Sequence, residues 1–177
     1  MIEILHFRDS EKILKEKNMI HDVQTTLEYL EDVLTSVQFK GELFRQALDD
    51  MGWRENGTLN ILEGRRYMYK GFKKDVAIEG NFSAYEYILE GLVRLQIGFD
   101  KGVLETGVLV LTSKRSEKSP YGSTSKMVNE EIEMLYPTIS MPVTVALFDL
   151  DETDIMDDEG GDENGGVSVS TDEHEEA

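Results

Sequence analysis

The stretch of sequence that decides the fold is VAIEGNF, at residues 76–82. Its apolar start predicts a buried strand, and a carboxylate, a glycine and an amide follow directly. Side chains two positions apart lie on the same face of a strand, so Glu79 and Asn81 are expected to face the same way. Such a pair can hold a divalent cation and a water molecule beside a phosphate. It can equally be a strand end whose polar groups are solvated.

Helices and strands are predicted to alternate on both sides of this stretch. The helices and strands before and after it give an α/β domain with a mixed β-sheet flanked by helices. The predicted strands are residues 2–6, 59–62, 66–72, 76–82, 107–111 and 143–148, with 66–72 and 76–82 forming a hairpin through a turn at 73–75. The predicted helices are residues 11–15, 21–34, 41–51, 83–98 and 126–135. The apolar face of the helix at 83–98 is formed by Tyr85, Ile88, Leu89, Leu92 and Leu95. A loop at 113–125 precedes the last helix.

The charge of the chain is unevenly distributed. The 177 residues carry a formal net charge of −18, yet residues 149–177 contain thirteen Asp and Glu and no Lys or Arg. The part before them is much closer to neutral, with 23 acids against 18 bases. We therefore predict a folded domain at residues 1–150 and an acidic, disordered tail at residues 151–177, which is too polar to bury apolar surface.

Several classes of protein are disfavoured by composition. The chain has no cysteine, which excludes disulfides, thiolate metal sites and cysteine nucleophiles. No apolar run is long enough to span a bilayer, so we expect no membrane partner, and the first residues do not resemble a secretory signal. The expectation is a soluble, cytoplasmic protein.

The order of elements and several short sequence motifs resemble the PD-(D/E)XK nuclease core, and specifically the BglII/BstYI type of type II restriction endonuclease. The resemblance is carried by VAIEGNFSAY at 76–85, GVLVLTSK at 107–114 and VTVALFD at 143–149. It covers everything except the acidic tail. It implies a restriction-endonuclease-like core with N-terminal helices, a homodimer, double-stranded DNA as the partner, and Mg²⁺ as the cofactor of phosphodiester hydrolysis.

The resemblance also implies three catalytic positions. In that family a glutamate, any residue and a glutamine close the catalytic strand, and an aspartate lies on the preceding strand of the hairpin. Glu79 takes the glutamate position, and Asn81 stands where glutamine is usual. Counting back along the hairpin puts Lys70 at the aspartate position, and there is no acid between Glu63 and Asp75.

A magnesium site would need a second carboxylate beside Glu79, because Mg²⁺ prefers carboxylates and substrate oxygens in octahedral geometry. Glu63 on the neighbouring segment and Glu86 in the following helix are the candidate ligands. Both are equally explained as ordinary exposed charges.

Two groups of basic residues are candidates for contact with DNA phosphates. Each can also be a solvated surface. The first group is Arg65, Arg66, Lys70, Lys73 and Lys74, and the second is Lys114, Arg115, Lys118 and Lys126 around a Ser/Gly-rich loop.

Three functions are compatible with these observations. The first is a Mg²⁺-dependent endonuclease that acts on duplex DNA. The second is a catalytically inactive nuclease-fold protein that binds DNA or a partner protein as an accessory factor, which Lys70 at the aspartate position favours. The third is an acidic decoy or adaptor whose tail imitates the charge of DNA.

Overall fold

The computed structural model describes residues 1–35, 37, 40–55, 59–82, 87–113 and 123–150. The predicted acidic tail and the basic loop residues Lys114, Arg115 and Lys118 lie outside these ranges. The division into a domain and a tail at residue 151 therefore stays a prediction.

The described residues form five strands and five helices. No helix among them is both long enough and apolar enough to cross a membrane. The strands are β1 (Ile2–Phe7), β2 (Gly71–Lys73), β3 (Val76–Asn81), β4 (Thr106–Thr112) and β5 (Val143–Phe148), and the helices are α1 (Ser10–Glu16), α2 (Ile20–Leu34), α3 (Lys40–Asp50), α4 (Tyr87–Asp100) and α5 (Ser125–Met134).

All five strands belong to one mixed sheet in the order β1-β5-β4-β3-β2. The three inner strands β3, β4 and β5 are parallel, because α4 and α5 carry the chain back across the sheet between them. The two outer strands pair antiparallel to their neighbours. This confirms the predicted α/β class with a mixed sheet flanked by helices.

The sheet separates two apolar cores. Alternation along β3 sends Val76 and Ile78 toward the core formed with α2 and α3, and Ala77 toward the core formed with α4 and α5. The inner strands are buried on both faces. This matches their nearly continuous apolar sequences, which are typical of parallel strands covered by helices.

The hairpin that precedes β3 is shorter than predicted. Residues 59–62 are not a strand, so that prediction is wrong, and residues 66–70 are not part of β2, so the prediction for 66–72 is wrong in extent. The two segments instead meet through a single antiparallel bridge between Asn60 and Met68. The connection to β3 is the two-residue turn of Lys74 and Asp75, whose φ angles of 49° and 62° suit the right-handed twist of a hairpin.

Helix α4 packs on the sheet with a slightly different face from the predicted one. Ile88, Leu92 and Leu95 are buried as expected, but Leu89 is 52% exposed, so its assignment to the buried face is wrong. Gly91 takes part of that face, directly against the Leu109 side chain of β4. Tyr85 lies outside the described residues.

A buried chain of hydroxyl groups joins α1 to the starts of β4 and β5. The Ser10 Oγ lies 2.7 Å from the Oγ1 atoms of both Thr106 and Thr144. Thr106 donates onward to the Pro142 carbonyl at 3.0 Å, and the Thr144 hydroxyl meets the His6 Nδ1 at 2.8 Å. These bonds satisfy polar groups that would otherwise be buried without partners.

Gly80 of β3 lies very close to Val110 of β4. A Cβ atom there would lie 2.7 Å from the Val110 carbonyl oxygen and 2.9 Å from the Val110 Cβ of β4. We expect Gly80→Ala to lower the free energy of unfolding by about 1–3 kcal/mol, because a strand must shift to admit the methyl group. Gly41→Ala is the matched control, since a Cβ there meets no atom of the described residues within 4 Å. Urea unfolding of both variants measures the difference, and equal stabilities would contradict this packing.

Candidate functional site

The site predicted around the end of β3 is centred on Glu79, whose side chain is completely buried. Glu79 shares the face of Ala77, so it points toward α4. Its neighbour across the parallel ladder is Leu109 of β4. A carboxylate in such an apolar setting is stable only with partners that replace water.

Two residues of α4 supply those partners. The Tyr87 hydroxyl donates a hydrogen bond of 2.8 Å to Glu79 Oε2. The Arg94 Nε lies 3.2 Å from Glu79 Oε1, but its N–H does not point at that oxygen, so the contact is an ion pair without an aligned hydrogen bond. Burial raises the pKa of Glu79, and Arg94, the Tyr87 hydrogen bond and Lys70 act in the opposite direction.

Arg94 is itself held in place by the segment before β2. Its Nη2 donates to the Met68 carbonyl, and the Tyr69 hydroxyl donates to the Arg94 carbonyl at 3.1 Å. Burial, followed by the charge of Glu79, raises the pKa of Tyr69 to about 12. Burial likewise raises the pKa of Tyr87. Both phenols therefore stay neutral and act as donors at physiological pH.

Lys70 directly precedes β2, whose ladder with β3 ends at the pair Gly71–Ile78. If that antiparallel register continued by one residue, Lys70 would align with Glu79. Arg54 fixes this position by donating from Nη1 to the Lys70 carbonyl at 2.6 Å. Burial lowers the pKa of Lys70, Arg45, Arg94 and Arg54 lower it further, and Glu79 raises it.

Asn81 ends β3 and is only half-buried. It borders a pocket of about 90 Å³ between the start of α3 and the end of β3. Lys40, Arg45 and Lys70 line the same pocket. The predicted catalytic positions Lys70 and Asn81 therefore meet at one pocket, whereas the carboxylate of Glu79 is directed into the interface with α4.

The residues that the structure describes around Glu79 do not fit a magnesium ion. Both oxygens of Glu79 are engaged by Tyr87 and Arg94, and the position opposite it holds a cation where the resemblance expects an aspartate. Glu63 is exposed in a turn, and Glu86 lies outside the described residues. No group of three or more Asp, Glu, His or Cys that could hold a metal ion occurs in the part of the chain that the structure describes.

The predicted DNA-contacting residues differ in their surroundings. Arg65, Arg66 and Lys74 are exposed. Lys73 is half-buried, with its Nζ 2.7 Å from Asp22 Oδ2 and 5.8 Å from the centre of the Trp53 ring. Lys126 is exposed at the start of α5, 4.0 Å from Glu130. Lys114, Arg115 and Lys118 fall outside the described residues.

Sequence reasoning missed Tyr87 and Arg94. The two lie seven positions apart, which puts them on one face of a helix, but a tyrosine and an arginine on a helix are usually surface residues. Arg45 and Lys40 were also missed, because nothing in the sequence indicates that the start of α3 lies beside the end of β3.

Comparisons with known proteins agree with this architecture. The crystal structure of the restriction endonuclease BglII complexed with a DNA 16-mer matches with a TM-score of 0.59 and 15% sequence identity, over 85% of this chain and 77% of that chain. Free BglII matches with a TM-score of 0.54 and 16% identity, over 85% and 80% of the two chains. The fold is restriction-endonuclease-like. No family model and no curated protein sequence matches the chain.

Because the ion pair between Glu79 and Arg94 is buried, the effect of removing Arg94 on the free energy of unfolding should depend on pH. Arg94→Met leaves the Glu79 carboxylate without its countercharge, and we expect a decrease of about 3–5 kcal/mol in the free energy of unfolding near neutral pH. Removing Arg94 also raises the pKa of Glu79 further above its unfolded value. Between the unfolded and folded pKa values of Glu79, the folded variant binds more protons than its unfolded chain. The loss of unfolding free energy caused by Arg94→Met therefore becomes smaller as pH falls, and larger as pH rises through the pKa of Glu79 in the folded variant.

Urea unfolding at several pH values measures this decrease. Glu79→Gln/Arg94→Met should be more stable than Arg94→Met at neutral pH, since no charge is left unpaired. Lys12→Met on the exposed face of α1 is the control for removing a cation. A decrease that is the same at every pH would contradict the pairing of Arg94 with Glu79.

Proposed function

We propose that this protein binds duplex DNA with a restriction-endonuclease-like fold and does not hydrolyse it by a magnesium-dependent route. The observation that supports this most strongly is the state of Glu79. Its carboxylate is buried against Tyr87 and Arg94, and Lys70 faces it across the hairpin. This is the second of the three functions considered above.

The chemistry of phosphodiester hydrolysis explains why the surroundings of the Glu79 carboxylate matter for catalysis. The reaction needs an activated water and neutralised charge on the pentavalent transition state, which Mg²⁺ supplies when carboxylates hold it. A cation directly opposite Glu79 repels Mg²⁺, and the arginine beside it already neutralises the carboxylate. Positive charge at these positions suits an anion better than a metal ion.

Exposed cations around β2 support binding to the DNA backbone. Arg65, Arg66 and Lys70 precede β2, and Lys74 follows it; we call these four residues the β2-flanking cations. Arg65, Arg66 and Lys74 are exposed and form no ion pair with another described residue, so they are available to phosphates. The solved BglII structure that matches this fold is a complex with DNA, which agrees with the same partner class.

The salt dependence of DNA binding tests the role of these cations. We expect Arg65→Gln, Arg66→Gln and Lys74→Gln each to weaken binding similarly for all sequences. Each should also reduce the slope of log K against log salt by about one unit, because one cation fewer neutralises a phosphate. Lys12→Gln, which removes a distant cation, is the control. Fluorescence anisotropy with a duplex at several salt concentrations gives the slopes, and unchanged slopes in all three variants would rule out this role.

Magnesium-dependent hydrolysis is the second candidate, because Glu79 and Asn81 remain two positions apart on one strand. It predicts cleavage of duplex DNA in Mg²⁺ that Glu79→Ala abolishes and Asn81→Ala weakens less. Such cleavage would overturn the proposal made here.

Metal binding provides a further test of the proposed function. Mn²⁺ should leave the melting temperature of the unmodified protein unchanged, because the Glu79 carboxylate is neutralised by Arg94. Lys70→Asp restores an acid opposite Glu79, so we expect it to gain affinity for Mn²⁺ and to bind DNA more weakly in the absence of metal. Calorimetry and thermal shift compare the two proteins, with Lys74→Asp as a control for charge reversal. Equal Mn²⁺ affinities would count against the register of the hairpin.

The predicted homodimer and partner protein stay predictions. Exposed apolar side chains on two neighbouring helices, Leu89 and Val93 of α4 and Met127 and Met134 of α5, provide a surface on which such an assembly can be sought. The role of the acidic tail as a decoy concerns residues outside the described ranges.

A further inference from the structure

The segment before β2 folds back on itself as a narrow loop. The Tyr69 N–H donates to the Leu59 carbonyl at 2.8 Å, and the Ile61 N–H donates to the Tyr67 carbonyl at 2.9 Å. The chain reverses direction between these two pairs, so it forms a two-stranded projection with a turn at its tip. We call residues 59–69 the 59–69 loop.

The base of the 59–69 loop is fixed to the rest of the domain. Ile61 and Tyr69 are buried in the core formed with α4 and α5. The Arg94 guanidinium donates to the Met68 carbonyl, and the Tyr69 hydroxyl donates to the Arg94 carbonyl at 3.1 Å. Arg94 is itself paired with the buried Glu79. The backbone of the loop is therefore ordered before any partner binds, which lowers the entropic cost of contacts made at its tip.

The exposed part of the 59–69 loop combines two cations with two large apolar side chains. Arg65 and Arg66 are exposed and form no ion pair with another described residue. Tyr67 and Met68 follow them directly, and their side chains are 57% and 41% exposed. The acid of the loop, Glu63, leaves it with a net positive charge.

This combination matches the chemistry of a nucleic acid better than that of phosphate alone. Guanidinium groups bind phosphate oxygens and need no apolar neighbours to do so. A tyrosine ring stacks on the face of a base, and methionine is one of the apolar side chains that wedge between base steps. Lys70 and Lys74 continue the positive charge beside β2, as expected for a surface that follows a phosphate backbone.

The state of the DNA decides whether such side chains can reach a base face. In a fully paired duplex the faces are covered by stacking, and a wedge must first separate them. At an unpaired nucleotide this cost is smallest, because the base is already free to leave the stack. Apolar side chains beside phosphate-binding arginines therefore favour DNA that contains an unpaired base.

We propose that the 59–69 loop contacts base faces as well as phosphates, with Tyr67 and Met68 packing against an unpaired base while Arg65 and Arg66 hold the phosphates beside it. The ligand class is duplex DNA that contains an unpaired nucleotide. This inference rests on the proposed function, because it assigns a base-contacting element to the same DNA-binding protein.

Two duplexes of one sequence, one fully paired and one with a single unpaired nucleotide, test the 59–69 loop by fluorescence anisotropy. We expect the unmodified protein to bind the second about five- to a hundredfold more tightly, as stacking on one base allows. Tyr67→Ala should remove this preference and leave the slope of log K against log salt unchanged, since no charge is lost. Tyr67→Phe keeps the ring and should keep the preference.

The other side chains of the loop provide matched comparisons. Met68→Ala should reduce the preference for the unpaired nucleotide. Met134→Ala removes a methionine that is 73% exposed at the end of α5, and it should bind both duplexes like the unmodified protein. Arg66→Gln should weaken binding to both duplexes and lower the salt slope, because it removes a phosphate contact and not a base contact.

The two proposals fail separately in these measurements. Equal affinities of the unmodified protein for the two duplexes would overturn this inference and leave the proposed function in place. A preference for the unpaired nucleotide that Tyr67→Ala retains would do the same. Affinities that none of the loop variants changes would overturn the inference in favour of a protein partner for the loop, and binding to neither duplex would overturn both proposals.

Discussion

The rest of the site depends on one buried ion pair, between Glu79 of β3 and Arg94 of α4. A carboxylate with no exposure to water must be neutralised by its neighbours. Arg94 does so at 3.2 Å and at the same time reaches the Met68 carbonyl, so one side chain joins the sheet, α4 and the segment before β2. The Tyr87 hydroxyl adds a second contact from the same helix. The geometry of the hairpin and the docking of α4 are therefore coupled through a single charge.

This coupling is the basis of the proposal that Glu79 does not hold a metal ion. In the family that the sequence resembles, the acid opposite the glutamate helps to hold Mg²⁺. Here Lys70 takes that position, and the two carboxylate oxygens of Glu79 face Arg94 and Tyr87 instead of a metal ion. Three positively charged residues, Lys40, Arg45 and Lys70, line a small pocket at the end of β3.

The fold was largely predictable because its main signals are local. Continuous apolar runs identified β4 and β5, apolar periodicity identified α2 and α3, and Pro137 indicated the end of α5. All three helices were predicted to within a residue or two at each end. The errors lie where local pattern is a poor guide. Residues 59–72 carry strand-forming residues, yet of these only Gly71 and Phe72 belong to a strand, and Arg54 and Arg94 donate hydrogen bonds to the Lys70 and Met68 carbonyls. Leu89 was assigned to the wrong face because Gly91, not a large apolar residue, lies closest to the sheet.

The sequence by itself determined the mixed α/β architecture and the hairpin that leads into β3. These follow from periodicity and from counting along one hairpin. Only the tertiary structure decided that Glu79 is buried against Tyr87 and Arg94, and that Lys40 and Arg45 meet Lys70. Both outcomes depend on how helices distant in sequence dock on the sheet, and side-chain packing between such elements leaves no periodic signal in the chain.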